Sequence, residues 1–269
     1  MPKTDAPTTL LNMMPSPSLN ENRPSKLLMW LEARGLWEIA SFPFALPALL
    51  HLVPRGDGHP VLVLPGLLGD DSSTAALRCF LASLGYAVQG WGQGPNLGLR
   101  DGVFAAMQET LAAIHAREQR KVSVIGWSLG GVYAREIARD APRFVRQVVT
   151  LGSPLYGDPE SSSNATAVYH FVSGQPRGEN IRRIAEPPPV PTTSIYSRTD
   201  GIVSWGSSVE REGAQTDNIE VNSASHAGLG TNALVLYAVA DRLAQAEGEW
   251  THFKPQGLGR LLFPCTAPM

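Results

Sequence analysis

Lys121 to Gly131 reads KVSVIGWSLGG, and no other stretch restricts what this chain can fold into so tightly. A short apolar run ends at a glycine, and a serine follows between two glycines. Val122, Val124 and Ile125 have the β-branched content and length of a buried strand, whereas Leu129 to Arg139 has the apolar spacing of a helix. The turn between them is Gly126, Trp127, Ser128, Leu129, Gly130. Glycines at both ends let strand and helix approach closely around a serine held in a strained conformation, its hydroxyl clear of the backbone. Ser128 is therefore the candidate nucleophile. The competing reading is a serine that caps a helix. Because 26 glycines make a short glycine–serine match easy to meet by chance, the strand before it and the helix after it have to carry the argument.

Strands and helices alternate on either side of this turn. Val61 to Leu64 is continuously apolar, as a strand covered on both faces should be, and it ends at Pro65, Gly66, Leu67, Leu68, Gly69. Ala75 to Leu84 reads as a helix preceded by capping residues Asp70 to Ser73, and Tyr86 to Gln89 as a strand. Gly90 to Gly98 lacks a P-loop lysine and reads as a turn-rich connection. Asp101 to Arg117 is a helix with a core face, Gln147 to Leu151 a strand closing on Gly152, Ser153, Pro154. Thr193 to Ser197 and Asn218 to Asn222 are further strands, and Ala233 to Ala246 a closing helix. This alternation predicts a doubly wound, mostly parallel sheet with helices on both faces. It pauses over about 155–191, a polar, proline-ended insertion of the kind that often forms a lid.

The length allows one large α/β domain, here residues 58–269. Residues 1–25 are polar and proline-rich and read as a disordered tail. Residues 26–57 form an apolar segment expected to pack on the core. Within it Lys26 to Ala40 is an amphipathic helix whose apolar side includes Leu27, Trp30, Leu31 and Ile39, and Phe42 to Val53 is a proline-broken stretch. Glu32, Arg34, Glu38, Pro43 and Pro47 interrupt this segment, so no run reaches the roughly 20 apolar residues that span a bilayer. A resting contact with a membrane surface, or a place in an acyl-binding wall, is the minority reading. No secretory signal pattern is legible, which leads to the expectation of a cytoplasmic protein.

A formal charge of −2 and the lack of a basic face argue against nucleic acid as a partner. Cys79 and Cys265 are too few and too far apart for a disulfide framework or a zinc site. Cys79 falls in an apolar helical pattern and reads as core, Cys265 lies in the tail, and a bridge between them stays open. No carboxylate cluster compels a metal, and neither metal nor cofactor is expected.

A serine hydroxyl needs a base, and the base needs an acceptor that fixes its tautomer. His226 follows the last expected strand within Ser223, Ala224, Ser225, His226, Ala227, Gly228, and His170 in the insertion is the other candidate. Asp200 leaves the sheet one strand earlier, with Gly201 behind it to turn the chain. Its competing reading is a turn aspartate, Asp158 is the next candidate acid, and Asp217 reads as a capping or turn residue.

With Ser, Asp and His in this order, each just past a strand, the chain resembles the α/β-hydrolase superfamily, particularly bacterial lipase- and esterase-like members. The motifs are GWSLGG at the nucleophile, VVTLGSPLYG at the next strand, SRTDGIV at the acid and SHAGL at the base, within about Gly58 to Ala246. The resemblance implies a mostly parallel sheet of about eight strands with the site at the strand C-termini. It also implies an oxyanion hole from the amides of Leu67 and Leu129, and Gly66 would let the backbone turn the first of these inward. Many lipases have His-Gly where this chain has Pro65-Gly66, a departure that bears on subfamily more than on a backbone donor. The implied activity is metal-independent cleavage of a small-molecule or lipid ester, with Leu68 and Trp127 as apolar substrate contacts. An acyltransferase or thioesterase with the same triad, and a non-catalytic binding protein of the same fold, stay open beside it.

Overall fold

The computed structural model of the 269-residue chain describes residues 23–155, 163–166, 186–255 and 259–264. Six short strands build its sheet: β1 (Pro60–Leu64), β2 (Ala87–Gly90), β3 (Val122–Trp127), β4 (Val145–Leu151), β5 (Thr192–Tyr196) and β6 (Thr216–Glu220). The order is β2-β1-β3-β4-β5-β6 and every pairing is parallel. The described residues thus form six strands, against the eight or so implied by the resemblance.

Alternate residues of β1, β3 and β4 serve two cores. Val61, Val63, Ile125 and Val149 join one with α3 (Ala75–Leu84) and α7 (Ala233–Leu243), while Leu62, Leu64, Val124 and Val148 join the other with α4 (Val103–Glu118) and α5 (Leu129–Asp140). β1, β4 and β5 are buried along their whole length, and β1 reads as an unbroken apolar run. Strand order reverses at β1, which has β2 on one side and β3 on the other. Loops leaving the C-terminal ends at such a point diverge and open a crevice. The loop after β1 and the Ser128 turn after β3 flank it.

The N-terminal segment departs from its sequence reading. The chain is helical from Lys26 to Leu52, through α1 (Lys26–Leu31), a 3-10 turn at Glu32–Arg34, and α2 (Gly35–Leu52), which continues across Pro43 and Pro47. An internal proline costs about 3 kcal/mol or more. Here Phe42, Ala45, Leu46, Leu49, Leu50 and Val53 pack on the core beside these prolines. At roughly 1.5–3 kcal/mol for each large apolar side chain fully buried, as Leu49 and Val53 are, with smaller gains from the partly buried ones, that packing offsets the loss. The resulting run of 27 residues is long and apolar enough to cross a bilayer by length and composition, contrary to the expectation that charges and prolines divide it.

The first half of the run is also turned the other way. Leu27, Trp30, Leu31 and Ile39, expected to pack inward, are exposed, as are Trp37 and Phe44, with Trp30 at 79% and Phe44 at 84%. Glu32, Arg34 and Glu38 face the domain instead, because the loops beneath offer them backbone donors and acceptors. Cys79 is likewise exposed rather than core. Leu77, Phe80, Leu81 and Leu84 form the inner arc of α3, and at 3.6 residues per turn position 79 falls outside it. The two one-turn helices, α6 (Trp205–Ser208) and α8 (Gly259–Leu262), were not foreseen. Residues 156–162 and 167–185 of the expected lid insertion, with Asp158 and His170, and Cys265 in the tail, lie outside the described residues.

Candidate active site

Ser128 sits at φ 53° and ψ −120°, a left-handed conformation that a side chain rarely adopts. Strain of this kind amounts to about 1–3 kcal/mol and persists only when the surroundings over-determine it. They do so here: the Ser128 N–H donates to Leu151 O at 2.8 Å, at the end of β4, and the Gly131 N–H donates to Ser128 O at 3.0 Å. A Cβ at Gly126 would run into the backbone of Gly130 and Gly131, so helix and strand cross too closely for any side chain. The Ser128 hydroxyl makes no capping hydrogen bond to α5 and its residue is partly exposed, which removes the helix-cap alternative.

Asp200 lies in the loop after β5 and His226 in the loop after β6. They meet, with Asp200 Oδ2 2.6 Å from His226 Nδ1. The other carboxylate oxygen, Oδ1, accepts the N–H groups of Ile202 and Val203, each at 2.8 Å, which fixes the plane of the acid. Asp200 is 3% and His226 9% exposed. Burial alone pulls the imidazole toward its neutral form; the charge and hydrogen bond of Asp200, joined by the charge of Glu32, outweigh that and raise its pKa above the usual histidine value. Gly152, which follows the carbonyl that holds Ser128, lies under this pair at φ 54°. A Cβ there would stand 3.0 Å from Asp200 Oδ2 and 3.2 Å from His226 Nδ1. The end of β4 therefore adjoins the serine on one side and the acid–base pair on the other. Trp127 ties the two together: its indole N–H donates to His226 O at 3.2 Å and its ring lies against Gly230.

The loop after β1 closes on the serine, since a Cβ at Gly66 would be 3.2 Å from Ser128 Cβ and 3.8 Å from Oγ. Leu68 has φ 63° and is 54% exposed. Buried Asn96 shapes the loop: its Nδ2 donates to Pro65 O at 2.9 Å, its carbonyl accepts the Leu68 N–H at 2.7 Å, and its own N–H donates to Gly69 O at 2.7 Å. Leu129 heads α5, where the first N–H groups of a helix have no intrahelical acceptor. Among the described residues, no hydrogen bond leaves the amides of Leu67 or Leu129.

Among the described residues, His59, His115 and His252 sit elsewhere. His59 forms a second Ser–His–Asp set at the opposite end of the sheet, with Nδ1 2.5 Å from Asp57 Oδ1 and Nε2 2.8 Å from Ser123 Oγ. His59 and Ser123 are fully buried, so this set joins the starts of β1 and β3 and offers no approach to a substrate. His115 Nδ1 pairs with Arg120 O, and His252 lies 3.7 Å from Asp217, which also receives Arg242. The sequence reading missed Asn96, for which a glycine-rich loop gives no signal. It also missed Glu32, Arg34 and Glu38. Their signal is a set of isolated charges in an apolar stretch, which by local pattern alone reads as an interruption.

No protein-family model matches the chain. Mouse serine hydrolase BPHL is 28% identical over 123 residues, 42% of this chain and 42% of that protein. A Burkholderia plantarii triacylglycerol lipase is 30% identical over 169 residues, 57% of this chain and 43% of the lipase. The chain thus spans less than half the length of either relative. Among solved structures, Aspergillus fumigatus lipase B has a TM-score of 0.57 at 17% identity, over 76% of this chain and 58% of that one. Bacillus licheniformis lipase BlEst2 has a TM-score of 0.54 at 16% identity, over 71% and 94%. Likeness at such identities concerns the fold.

Proposed function

Given a chain with the α/β-hydrolase fold that resembles the lipase- and esterase-like members of that superfamily, we propose that it is a serine hydrolase cleaving carboxylic esters through an acyl-enzyme on Ser128. The observation that carries the reading is the 2.6 Å bond between Asp200 and His226 at the end of β4, the same strand end that holds the strained strand-to-helix turn of Ser128. In this reading His226 Nε2 takes the proton of Ser128 Oγ as the oxygen attacks the acyl carbonyl. Asp200 holds the proton on Nδ1 and balances the imidazolium that forms. The tetrahedral oxyanion accepts from the amides of Leu67 and Leu129; losing one such donor typically costs about 10²–10³ in rate. The carbon–oxygen bond to the alcohol then breaks, the alcohol leaves with the proton held on Nε2, and water repeats the sequence to free the acid.

The name of one relative, serine hydrolase, agrees with a serine nucleophile, and that of the other, triacylglycerol lipase, with an ester substrate. A fluorophosphonate probe should label the folded wild-type protein and leave Ser128→Ala unlabelled, and only the wild type should hydrolyse p-nitrophenyl esters. A folded wild type that neither labels nor turns over would sink the acyl-enzyme reading. Preferential turnover of acyl-CoA would instead move the activity to thioester cleavage or acyl transfer. The outward side of the N-terminal helical run, with Leu27, Trp30, Leu36, Trp37 and Phe44 exposed, suits contact with an apolar substrate surface. Co-sedimentation with phosphatidylcholine vesicles tests that contact, which Trp30→Ser with Trp37→Ser should weaken; equal sedimentation of variant and wild type would rule it out.

A further inference from the structure

The base loop presents three successive backbone N–H groups, of Ser225, His226 and Ala227, to the N-terminal helical run. Two carboxylates of that run receive them. Glu38 Oε1 accepts from Ser225 at 2.8 Å, Glu32 Oε1 from His226 at 3.0 Å and Glu32 Oε2 from Ala227 at 3.0 Å. The same Glu32 Oε1 also accepts the N–H of Gly201, the residue after Asp200, at 2.7 Å. One oxygen atom therefore joins the backbone of the base to the backbone beside the acid. We infer that Glu32 is a positioning residue of the Ser128–His226–Asp200 site, holding the acid and base loops in the register at which their side chains meet. This inference rests on the hydrolase reading above.

The seating around Glu32 is close enough to be specific. Gly201 lies against the backbone of Leu28, where a Cβ would collide, and a Cβ at Gly228 would collide with the Glu38 carboxylate. Arg34 Nη2 donates to Thr199 O at 2.6 Å and to Ala224 O at 2.9 Å, tying the same two loops a second time. Asn164 holds the acid loop from the other side, its Nδ2 donating to Gly201 O at 2.8 Å and its N–H to Ile202 O. With those supports in place, loss of the Glu32 charge shifts the loops against one another and leaves the acid loop attached. Successive amides in such a concavity form an anion site. Here the anion is supplied by the chain's own glutamates.

Glu32 acts on the imidazole through charge as well as position. Among the described residues, the charges acting on His226 are Asp200 from the acid loop and Glu32 from the helical run, with Glu38 on the N–H of neighbouring Ser225 and Arg34 3.9 Å from Glu38. A negative charge beside the ring favours its protonated form. Since the base must be neutral to take the serine proton, activity falls as pH drops through the histidine's pKa. Removing the Glu32 charge lowers that pKa and moves the acid limb of kcat/KM to lower pH.

The experiment is a kcat and KM profile across pH, on a short-chain p-nitrophenyl ester, for wild type, Glu32→Gln and Glu32→Asp in the full-length protein. In Glu32→Gln one former carboxylate oxygen becomes a donor facing a backbone N–H. Its kcat should fall about 10- to 100-fold, as expected for a displaced catalytic group, with KM within about twofold. Its acid limb should move to lower pH. Glu32→Asp keeps the charge, so its acid limb should stay at the wild-type pH, but it is too short to span Gly201 and Ala227, so its kcat should drop. An unmoved acid limb in Glu32→Gln, or a Glu32→Asp kcat within about twofold of wild type, would overturn the inference. If Glu32→Gln does not fold, the Glu32→Asp result decides. Fluorophosphonate labelling separates the two readings: an unlabelled wild type defeats the hydrolase proposal, whereas equal labelling rates for wild type and Glu32→Gln defeat the positioning role alone.

Discussion

Replacing Asp200 by asparagine changes one atom and reverses the proton arrangement of the proposed base. Asp200 Oδ1 accepts two backbone N–H groups, of Ile202 and Val203, and Oδ2 faces His226 Nδ1. In Asp200→Asn the amide oxygen has to remain with the two N–H donors, because turning the NH₂ toward them leaves both unsatisfied. Each buried donor left unpaired costs about 1–3 kcal/mol, so the turned orientation lies roughly 2–6 kcal/mol higher. The favoured orientation points NH₂ at Nδ1, which must then accept. The ring proton moves to Nε2, where it faces the serine and cannot be displaced by the serine's own proton. Only the turned population retains a working base. At about 1.4 kcal/mol per factor of ten, kcat should fall by roughly 30-fold to 10⁴-fold. The upper end matches the loss of about 10⁴ that the same change produces in a serine protease triad. The assay is kcat on a short p-nitrophenyl ester, with thermal unfolding to show an intact fold and nitrogen NMR of the imidazole to read the tautomer. A folded Asp200→Asn that keeps more than about a tenth of wild-type kcat would refute the reasoning. So would a collapse of activity in Asp158→Asn while Asp200→Asn remains active, since that would give the acid role to the other aspartate.

Two further outcomes follow from the geometry. Gly152→Ala forces a side chain into a left-handed residue at about 1–2 kcal/mol and presses its Cβ on Leu229, Asp200 and His226, adding about 1–3 kcal/mol. Urea unfolding should show a loss of roughly 2–5 kcal/mol together with reduced turnover, and a loss below about 1 kcal/mol would show that the β4 end is not packed as described. At the other end of the sheet, burial pushes the His59 pKa down to about 4, against the raising effect of Asp57 and aided by the charges of Arg146 and Arg120. The unfolded chain takes up this proton near the ordinary histidine pKa, so stability is full above about 6.5 and lost as pH falls toward about 4, by up to about 3 kcal/mol. Urea midpoints between pH 7 and pH 4 should carry this slope in wild type, and an equal slope in His59→Gln would assign it to other groups.

The strands and the nucleophile turn were legible because each reflects a local rule. A strand covered on both faces tends to be apolar at successive positions, which is why β1 stands out in the sequence. A close strand-to-helix crossing must carry glycine, as Gly126 does. Asp200 and His226 were reachable by their order after successive strands, although their 2.6 Å approach depends on β5 and β6 being neighbours in the sheet. Cys79 was misread because an apolar helix looks alike on every side until a sheet chooses its inner arc.

The sequence by itself determined the alternation of strand and helix, the sharp turn at Ser128 and the residue types that follow the strands, since backbone sterics and periodic burial act over a few residues. Only the tertiary structure decided which way the N-terminal run faces. Its apolar positions predict inward packing, yet Glu32, Arg34 and Glu38 point in, because the acid and base loops offer backbone groups that need charged partners. Those donors and acceptors are supplied by loops more than 160 residues further along the chain, as the separations of 165 between Arg34 and Thr199 and 194 between Glu32 and His226 record. No local pattern in residues 26–52 encodes them.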